Sequence, residues 1–151
     1  MKVLSLFDGI SCGMLALQRA GIPVECYDAF EIDKYAVTVS KRNFPVIVHH
    51  GNVYDGDFTQ FRGYDLLLGG SPCTYWSIAK KDREVDCNGE GFRLFKEYVR
   101  ALEESGCKYF LYENNYSVHQ RIKDEISKTL GVEPIMINSA LVSAQNRKRC
   151  Y

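Results

Sequence analysis

The sequence predicts an α/β fold with a mostly parallel sheet and helices on both faces. Three observations carry that expectation. Short apolar runs alternate with stretches of helical periodicity along nearly the whole chain. Glycine or proline closes several of these segments. No repeat, low-complexity tract or linker interrupts them, so residues 1–151 are expected to form one domain. The length is sufficient for a proper core, and the 46% hydrophobic content is ordinary for a globular protein.

The elements follow in order. Lys2 to Phe7 reads as the first strand, its apolar stretch too short for a signal peptide. Gly13 to Ala20 reads as a helix ended by Gly21 and Pro23. Val24 to Phe30 is a second strand, Lys34 to Asn43 a helix stopped before Pro45, and Val46 to His49 a short third strand. Asp65 to Leu68 is a fourth strand. Phe92 to Glu104 is a helix with Leu94, Phe95, Tyr98, Val99 and Leu102 on one face. Lys108 to Tyr112 is a fifth strand, His119 to Thr129 a helix, and Glu133 to Asn138 a sixth strand. The chain stops at Arg149-Cys150-Tyr151 as another strand begins, which suggests a truncated or split protein. Ligands in such folds sit beyond the carboxyl ends of the strands.

Composition narrows the function classes. Lys plus Arg and Asp plus Glu both number 19, so no overall basic charge announces a nucleic-acid binder. Any DNA contact must come from a local patch or a partner. No apolar run is long enough to cross a membrane. The six cysteines are scattered without a C-x-x-C pair, which argues against a metal site or disulfide framework and for reduced thiols in a cytoplasmic protein.

Several segments carry candidate chemistry. In Gly69-Gly70-Ser71-Pro72-Cys73, the glycines permit a tight turn after Tyr64-Asp65-Leu66-Leu67-Leu68, and Pro72 stiffens the approach to the thiol. Cys73 as a nucleophile and Cys73 as a small apolar loop residue stand level on this stretch alone. Phe7 to Gly13 joins strand to helix and can seat a polar or anionic group. It does not match G-x-G-x-x-G, and by itself reads first as a tight turn. Glu31 ends the second strand, where a carboxylate can accept from two ribose hydroxyls, and acidic strand ends are common. Asn52 can meet an adenine amino group, and equally serves as a turn residue. Glu113-Asn114 follows the fifth strand, so Glu113 and Cys73 can face one pocket; a solvated carboxylate is the plainer reading. Gln145-Asn146-Arg147-Lys148-Arg149 is the densest basic cluster, and extended backbone would turn Gln145, Arg147 and Arg149 to one side. Such a run is more often a solvated edge.

Read in order, these residues resemble the C5-cytosine DNA methyltransferases. The resemblance spans essentially the whole chain. It comprises F-x-G-x-x-x-G at Phe7 to Gly13, Glu31-Ile32-Asp33, G-G-S-P-C at 69 to 73, Gly91-Phe92-Arg93-Leu94-Phe95, Glu113-Asn114 and Q-x-R-x-R at 145 to 149. The wording of Ser71-Pro72-Cys73 and Arg93-Leu94-Phe95 looks closest to the de novo branch.

The resemblance implies a Rossmann-like S-adenosylmethionine-dependent methyltransferase fold lacking its C-terminal recognition region. It implies that Cys73 attacks C6 of a cytosine flipped out of duplex DNA, while Glu113 holds N3 and the exocyclic amine. The methyl group of S-adenosylmethionine then goes to C5, leaving S-adenosylhomocysteine, without a metal. Arg149 would contact the cytosine carbonyl oxygen, and Arg147 would brace the active-site loop or a phosphate. Phe7, Asp8, Gly9, Ile10, Ser11, Gly13, Glu31, Ile32, Asn52, Val53 and Leu94 would form the cofactor site. Ser71, Pro72, Asn114 and Gln145 would join substrate binding.

Two positions depart from the family pattern. Asn115 stands where a valine usually follows Glu-Asn, and Asn52 where aspartate is common. The family's target-recognition domain and final motifs are not represented, so a second polypeptide supplying recognition is a further expectation. A non-catalytic binding module is the competing class, but such a module needs no Cys73, Glu113 and Arg149 together. A nicotinamide-dependent oxidoreductase is disfavoured by the poor glycine pattern.

Overall fold

A computed structural model describes residues 1–151. Strand β1 (Lys2–Leu6) has Val3, Leu4 and Leu6 wholly inaccessible to solvent, as a strand covered on both faces requires. Helix α1 (Cys12–Arg19) lays Met14 and Leu17 against the sheet. β2 (Cys26–Phe30), α2 (Lys34–Asn43) and β3 (Val48–His49) follow. Asp33 caps α2, its carboxylate accepting from the amides of Tyr35 and Ala36. β4 (Leu66–Gly69), α3 (Glu90–Ser105) and β5 (Tyr109–Tyr112) complete the alternating part of the chain. The last third holds β6 (Asn114–Asn115), α4 (Gln120–Leu130), β7 (Met136–Asn138) and β8 (Lys148–Cys150).

Packing divides the chain into two compact units. The first, Met1–Gly69 with Arg100–Leu111, is built on a five-stranded sheet of order β3-β2-β1-β4-β5. Strands β1 and β2, β1 and β4, and β2 and β3 run parallel. The order reverses at β1, so the loop after β1 opens at a topological switch point. Val3, Met14, Leu17, Tyr27, Ala29, Ile47 and Leu68 form one buried cluster. Phe30, Phe58 and Phe61 form an aromatic group, with Phe30 edge-on to both of the others. Arg100 lies 4.5 Å above the Phe58 ring and donates to the carbonyls of Val53 and Gly56.

The second unit comprises Gly70–Val99 and Tyr112–Tyr151. Its three strands form an antiparallel sheet of order β6-β8-β7, with Asn115 and Ile137 both in register with Arg149. The sequence-predicted sixth strand therefore exists as β7 but does not join the parallel sheet. Its three residues are too few to carry a period, and pairing with β8 decides its place.

Helix α3 corrects one expected face. The fully or nearly buried apolar side chains are Phe92, Phe95, Tyr98 and Ala101, a stripe stepping by three, whereas Leu94, Val99 and Leu102 are half-buried. No helix is long and apolar enough to cross a membrane, and no group of three or more His, Cys, Asp or Glu residues could hold a metal ion.

Candidate active site

In the first unit, the loop after β1 is held in an unusual shape. Phe7 and Ser11 both adopt left-handed backbone angles, φ 57° and 64°, which non-glycine residues rarely do. Such a conformation costs about 1–3 kcal/mol per residue and persists only where neighbours enforce it. Asp8 enforces it here. Its carboxylate accepts from Ser5 Oγ at 2.6 Å, from Tyr27 Oη at 2.7 Å and from Ser11 Oγ. Burial, reinforced by the Asp8 charge, pushes the Tyr27 phenol far above its ordinary range, so it remains a donor. Ser11 is wholly buried and also pairs with Ser40 Oγ at 2.5 Å. Ser40 in turn lies 3.1 Å from His49 Nε2. The side chains of Asp8 and Ser11 are thus turned into the protein, where they shape the loop from below.

The glycines of this loop do different work. Gly9 sits at φ +60° with open space around a hypothetical Cβ. A Cβ on Gly13 would fall 2.8 Å from Tyr27 Oη and 2.9 Å from Leu68, so Gly13 lets α1 lie close on the sheet. Ile10 is half exposed at the loop's tip.

Glu31 faces the same loop. Its Oε2 accepts from the Gly9 amide, and its Oε1 from the amides of Ile32 and Asp33, all at 2.8 Å. Two carboxylate oxygens offer about four lone-pair sites. One on Oε2 is left for a ligand hydroxyl, beside the open space at Gly9. Ile32 is 75% exposed, so its apolar side chain is open to solvent. Asn52 caps a 3-10 turn, its oxygen accepting from Tyr54 N at 3.1 Å. Val53 is buried and its carbonyl accepts from Arg100.

The second unit assembles a different set. Neither Gly69 nor Gly70 has a positive φ, so turn geometry is not why glycine stands at 70. Space is the reason. A Cβ on Gly70 would lie 2.3 Å from the Glu113 carbonyl oxygen and 3.2 Å from its Oε2. The turn carrying Cys73 therefore runs directly against Glu113. Cys73 is half-buried and opens a 3-10 turn, Cys73–Tyr75, preceded by Pro72 at φ −50°. Arg149 Nε lies 2.6 Å from Glu113 Oε1. Beta-strand alternation sends Tyr112 and Asn114 the other way, into a buried network with Ser71. Ser71 Oγ and Tyr112 Oη are 2.6 Å apart, and Asn114 Nδ2 donates to the Ser71 carbonyl at 3.0 Å.

Three further expected site residues remain. Gln145 and Arg147 are exposed, and only Lys148–Cys150 is strand, so the expected common side for Gln145, Arg147 and Arg149 does not form. Asn138 and Ser139 bond to this segment, Ser139 Oγ to the Gln145 carbonyl and Asn138 Oδ1 to the Arg147 amide, and shape it as a loop. Leu94 is half-buried in the first turns of α3.

Sequence reasoning missed Tyr112, Tyr27 and Ser40, and also a clasp on the segment that follows Cys73. Trp76, completely buried, donates its indole N–H to Glu84 Oε2 at 3.2 Å, and the same carboxylate accepts from the Gly91 amide at 3.1 Å. A Cβ on Gly91 would strike the Trp76 indole at 2.7 Å. The only available signal was the glycine pair Gly89 and Gly91 opening a helix.

Residues 1–151 match the family described as C-5 cytosine-specific DNA methylase. The chain belongs to that family. It is 33% identical to the orphan methyltransferase M.SPRI of Bacillus phage SPR over 167 aligned residues, which cover all of this chain and 37% of that protein. It is 34% identical over 168 residues to the type II methyltransferase M.HgiCI of Herpetosiphon aurantiacus, covering all of this chain and 38% of that one. The chain thus spans just over a third of the length of these relatives. The crystal structure of the S. pombe Dnmt2 methyltransferase superposes with a TM-score of 0.71 at 16% identity, over 99% of this chain and 47% of that one. That likeness is one of fold.

Proposed function

We propose that this chain is the catalytic part of an S-adenosylmethionine-dependent DNA cytosine-5 methyltransferase. The observation that carries the reading is the grouping, within one compact unit, of a stiffly presented thiol, a carboxyl group and an arginine. Gly70 runs against Glu113, and Arg149 pairs with it at 2.6 Å.

The residues present fit the methyl donor. Glu31 keeps a lone pair for a ribose hydroxyl beside the open space at Gly9, and Ile32 offers an exposed apolar surface to a base. Phe7 and Val53 complete the expected set in the first unit. S-adenosylmethionine supplies the methyl group when bound.

The chain's own residues do the remainder. The Cys73 thiolate adds to C6 of a cytosine, forming a carbon–sulfur bond and moving electron density to C5. Glu113, hydrogen-bonded to N3 and the exocyclic amine, neutralises the charge that develops on the ring. Arg149 directs its guanidinium to the carbonyl oxygen at C2 and keeps Glu113 oriented. C5 takes the methyl group, water removes the C5 proton, and the electron pair so released expels the Cys73 sulfur as thiolate and restores the aromatic ring. The partner in this reading is duplex DNA with the target base turned out of the stack.

The test is covalent trapping on duplex DNA containing 5-fluorocytosine with S-adenosylmethionine, comparing wild type with Cys73→Ser. A denaturation-resistant band in wild type only is the expected result. A band in both chains overturns Cys73 as nucleophile. A band in neither shows that this chain does not act alone, and points to a second polypeptide. Stabilisation by S-adenosylhomocysteine but not by NAD, read as a rise in Tm, checks the cofactor independently.

A further inference from the structure

Strand alternation at the end of β5 separates two tasks. Glu113 turns toward Gly70 and Arg149, while its neighbours Tyr112 and Asn114 turn into the protein toward Ser71. Tyr112, Asn114 and Ser71 are 6%, 4% and 2% exposed, so water does not compete for their polar atoms.

The orientation of the Asn114 amide is fixed by the chain. Asn114 Oδ1 accepts from the Asn115 amide at 2.8 Å, which commits its Nδ2 to face inward. That Nδ2 donates to the Ser71 carbonyl at 3.0 Å and to Tyr112 Oη at 3.3 Å. Tyr112 Oη, accepting there, also shares a hydrogen bond of 2.6 Å with Ser71 Oγ. The Tyr112 ring is wedged edge-on against Phe95 and Tyr98, with centroids 5.3 and 4.9 Å away, and cannot swing.

We infer that Tyr112 is a positioning residue for Cys73. Its hydroxyl, braced by Asn114, grips Ser71 by the side chain while Asn114 grips it by the carbonyl. Only Pro72, whose φ is fixed, separates Ser71 from the thiol. Holding Ser71 at two atoms therefore sets the direction from which Cys73 leaves the turn. The same strand sets Glu113, so one rigid piece of backbone aligns both reacting side chains. The effect on DNA chemistry rests on the methyltransferase reading. The effect on the thiol does not.

The test compares wild type, Tyr112→Phe and Ser71→Ala in two assays. In the first, iodoacetamide alkylation is followed cysteine by cysteine by peptide mass spectrometry. Both variants are expected to alkylate Cys73 about threefold faster or more, because the turn opens locally, with exposed Cys12 and buried Cys107 unchanged as controls. In the second, trapping on 5-fluorocytosine DNA is expected to slow about tenfold in each variant, the equivalent of one neutral hydrogen bond, and to slow no further in the double variant. Slower trapping with faster Cys73 alkylation, while buried Cys107 stays protected, marks a local opening of the turn, because general destabilisation would expose Cys107 as well. Cys73 alkylating at the wild-type rate in Ser71→Ala, with Cys107 protected, overturns the inference. If wild type itself fails to trap, this chain does not act alone on DNA, and the alkylation arm still decides the role of Tyr112.

Discussion

Arg149 Nε stands 2.6 Å from Glu113 Oε1, with the arginine side chain only 14% exposed. The arginine is poorly hydrated there and depends on the carboxylate, whose own side chain is 34% exposed. Arg149 also donates to the Lys148 carbonyl, so its guanidinium is fixed from two sides. Removing the arginine should leave a half-buried carboxylate unpaired, at a cost of about 1–3 kcal/mol in stability. Arg149→Ala is expected to lower the urea midpoint accordingly and to slow methyl transfer. Arg149→Lys should recover the stability but not the rate, since a point charge cannot reproduce the planar fork.

Glu113→Gln keeps the size of the side chain and removes the ionisable proton. The expected loss in single-turnover methyl transfer is about 10²–10⁴-fold, the usual contribution of a positioned acid. Binding of S-adenosylhomocysteine should be unaffected. A variant that transfers methyl groups at the wild-type rate would remove Glu113 from the chemistry.

Gly70→Ala tests close approach rather than turn geometry. Its Cβ would meet the Glu113 carbonyl oxygen at 2.3 Å, and backbone cannot yield as a side-chain tip can. Overpacking of this kind costs about 1–3 kcal/mol. The expected outcome is a lower Tm together with lost trapping. Gly9→Ala instead meets open space but incurs the strain of φ +60°, so it should weaken S-adenosylhomocysteine binding without a steric clash.

Acid should act through His49. Its Nδ1 is buried without a hydrogen-bond partner, so protonating it would place an N–H where no acceptor waits. Burial above all, with the charges of Lys41 and His50, holds its pKa below the ordinary 6.5, against the weaker upward pull of Asp8 and Glu31. The unfolded chain therefore takes the proton first. Stability from this group is complete above about pH 6.5 and declines as the pH falls below it. His49→Gln should flatten that part of the acid slope, read from urea midpoints at about pH 7.5 and about pH 5.

Alkali should act through Tyr112. Burial pushes its phenol up to about 12, and the linkage runs the other way. Its contribution is complete below the unfolded value of 10.0 and is lost as the pH rises toward about 12. Tyr112→Phe should lose less stability than wild type over that interval.

Much of the fold was legible because its signals are local. Lys34 to Asn43 is bounded by Asp33 before and Pro45 after, and α2 occupies those same residues. The parallel strands announce themselves as short apolar runs between glycines, and β1, β2 and β4 fall within two residues of where those runs lie. The small antiparallel sheet was not legible. Asn114-Asn115 is polar and two residues long, and becomes a strand only through pairing with Arg149 and Cys150. The site divides the same way. Cys73 and Glu113 stand out by residue type next to a turn. The roles of Asp8, Ser11 and Gly13 depend on Tyr27 and Ser40, which are distant in sequence and carry no motif of their own.

Trp76 is the chain's single tryptophan, and it sits in the segment that leads away from Cys73, bonded to Glu84 and packed against Gly91. The protein therefore carries its own optical reporter in the segment that follows Cys73. Its emission comes from one indole in one dry environment, so any displacement of that segment by DNA would register as a red shift, with no label attached.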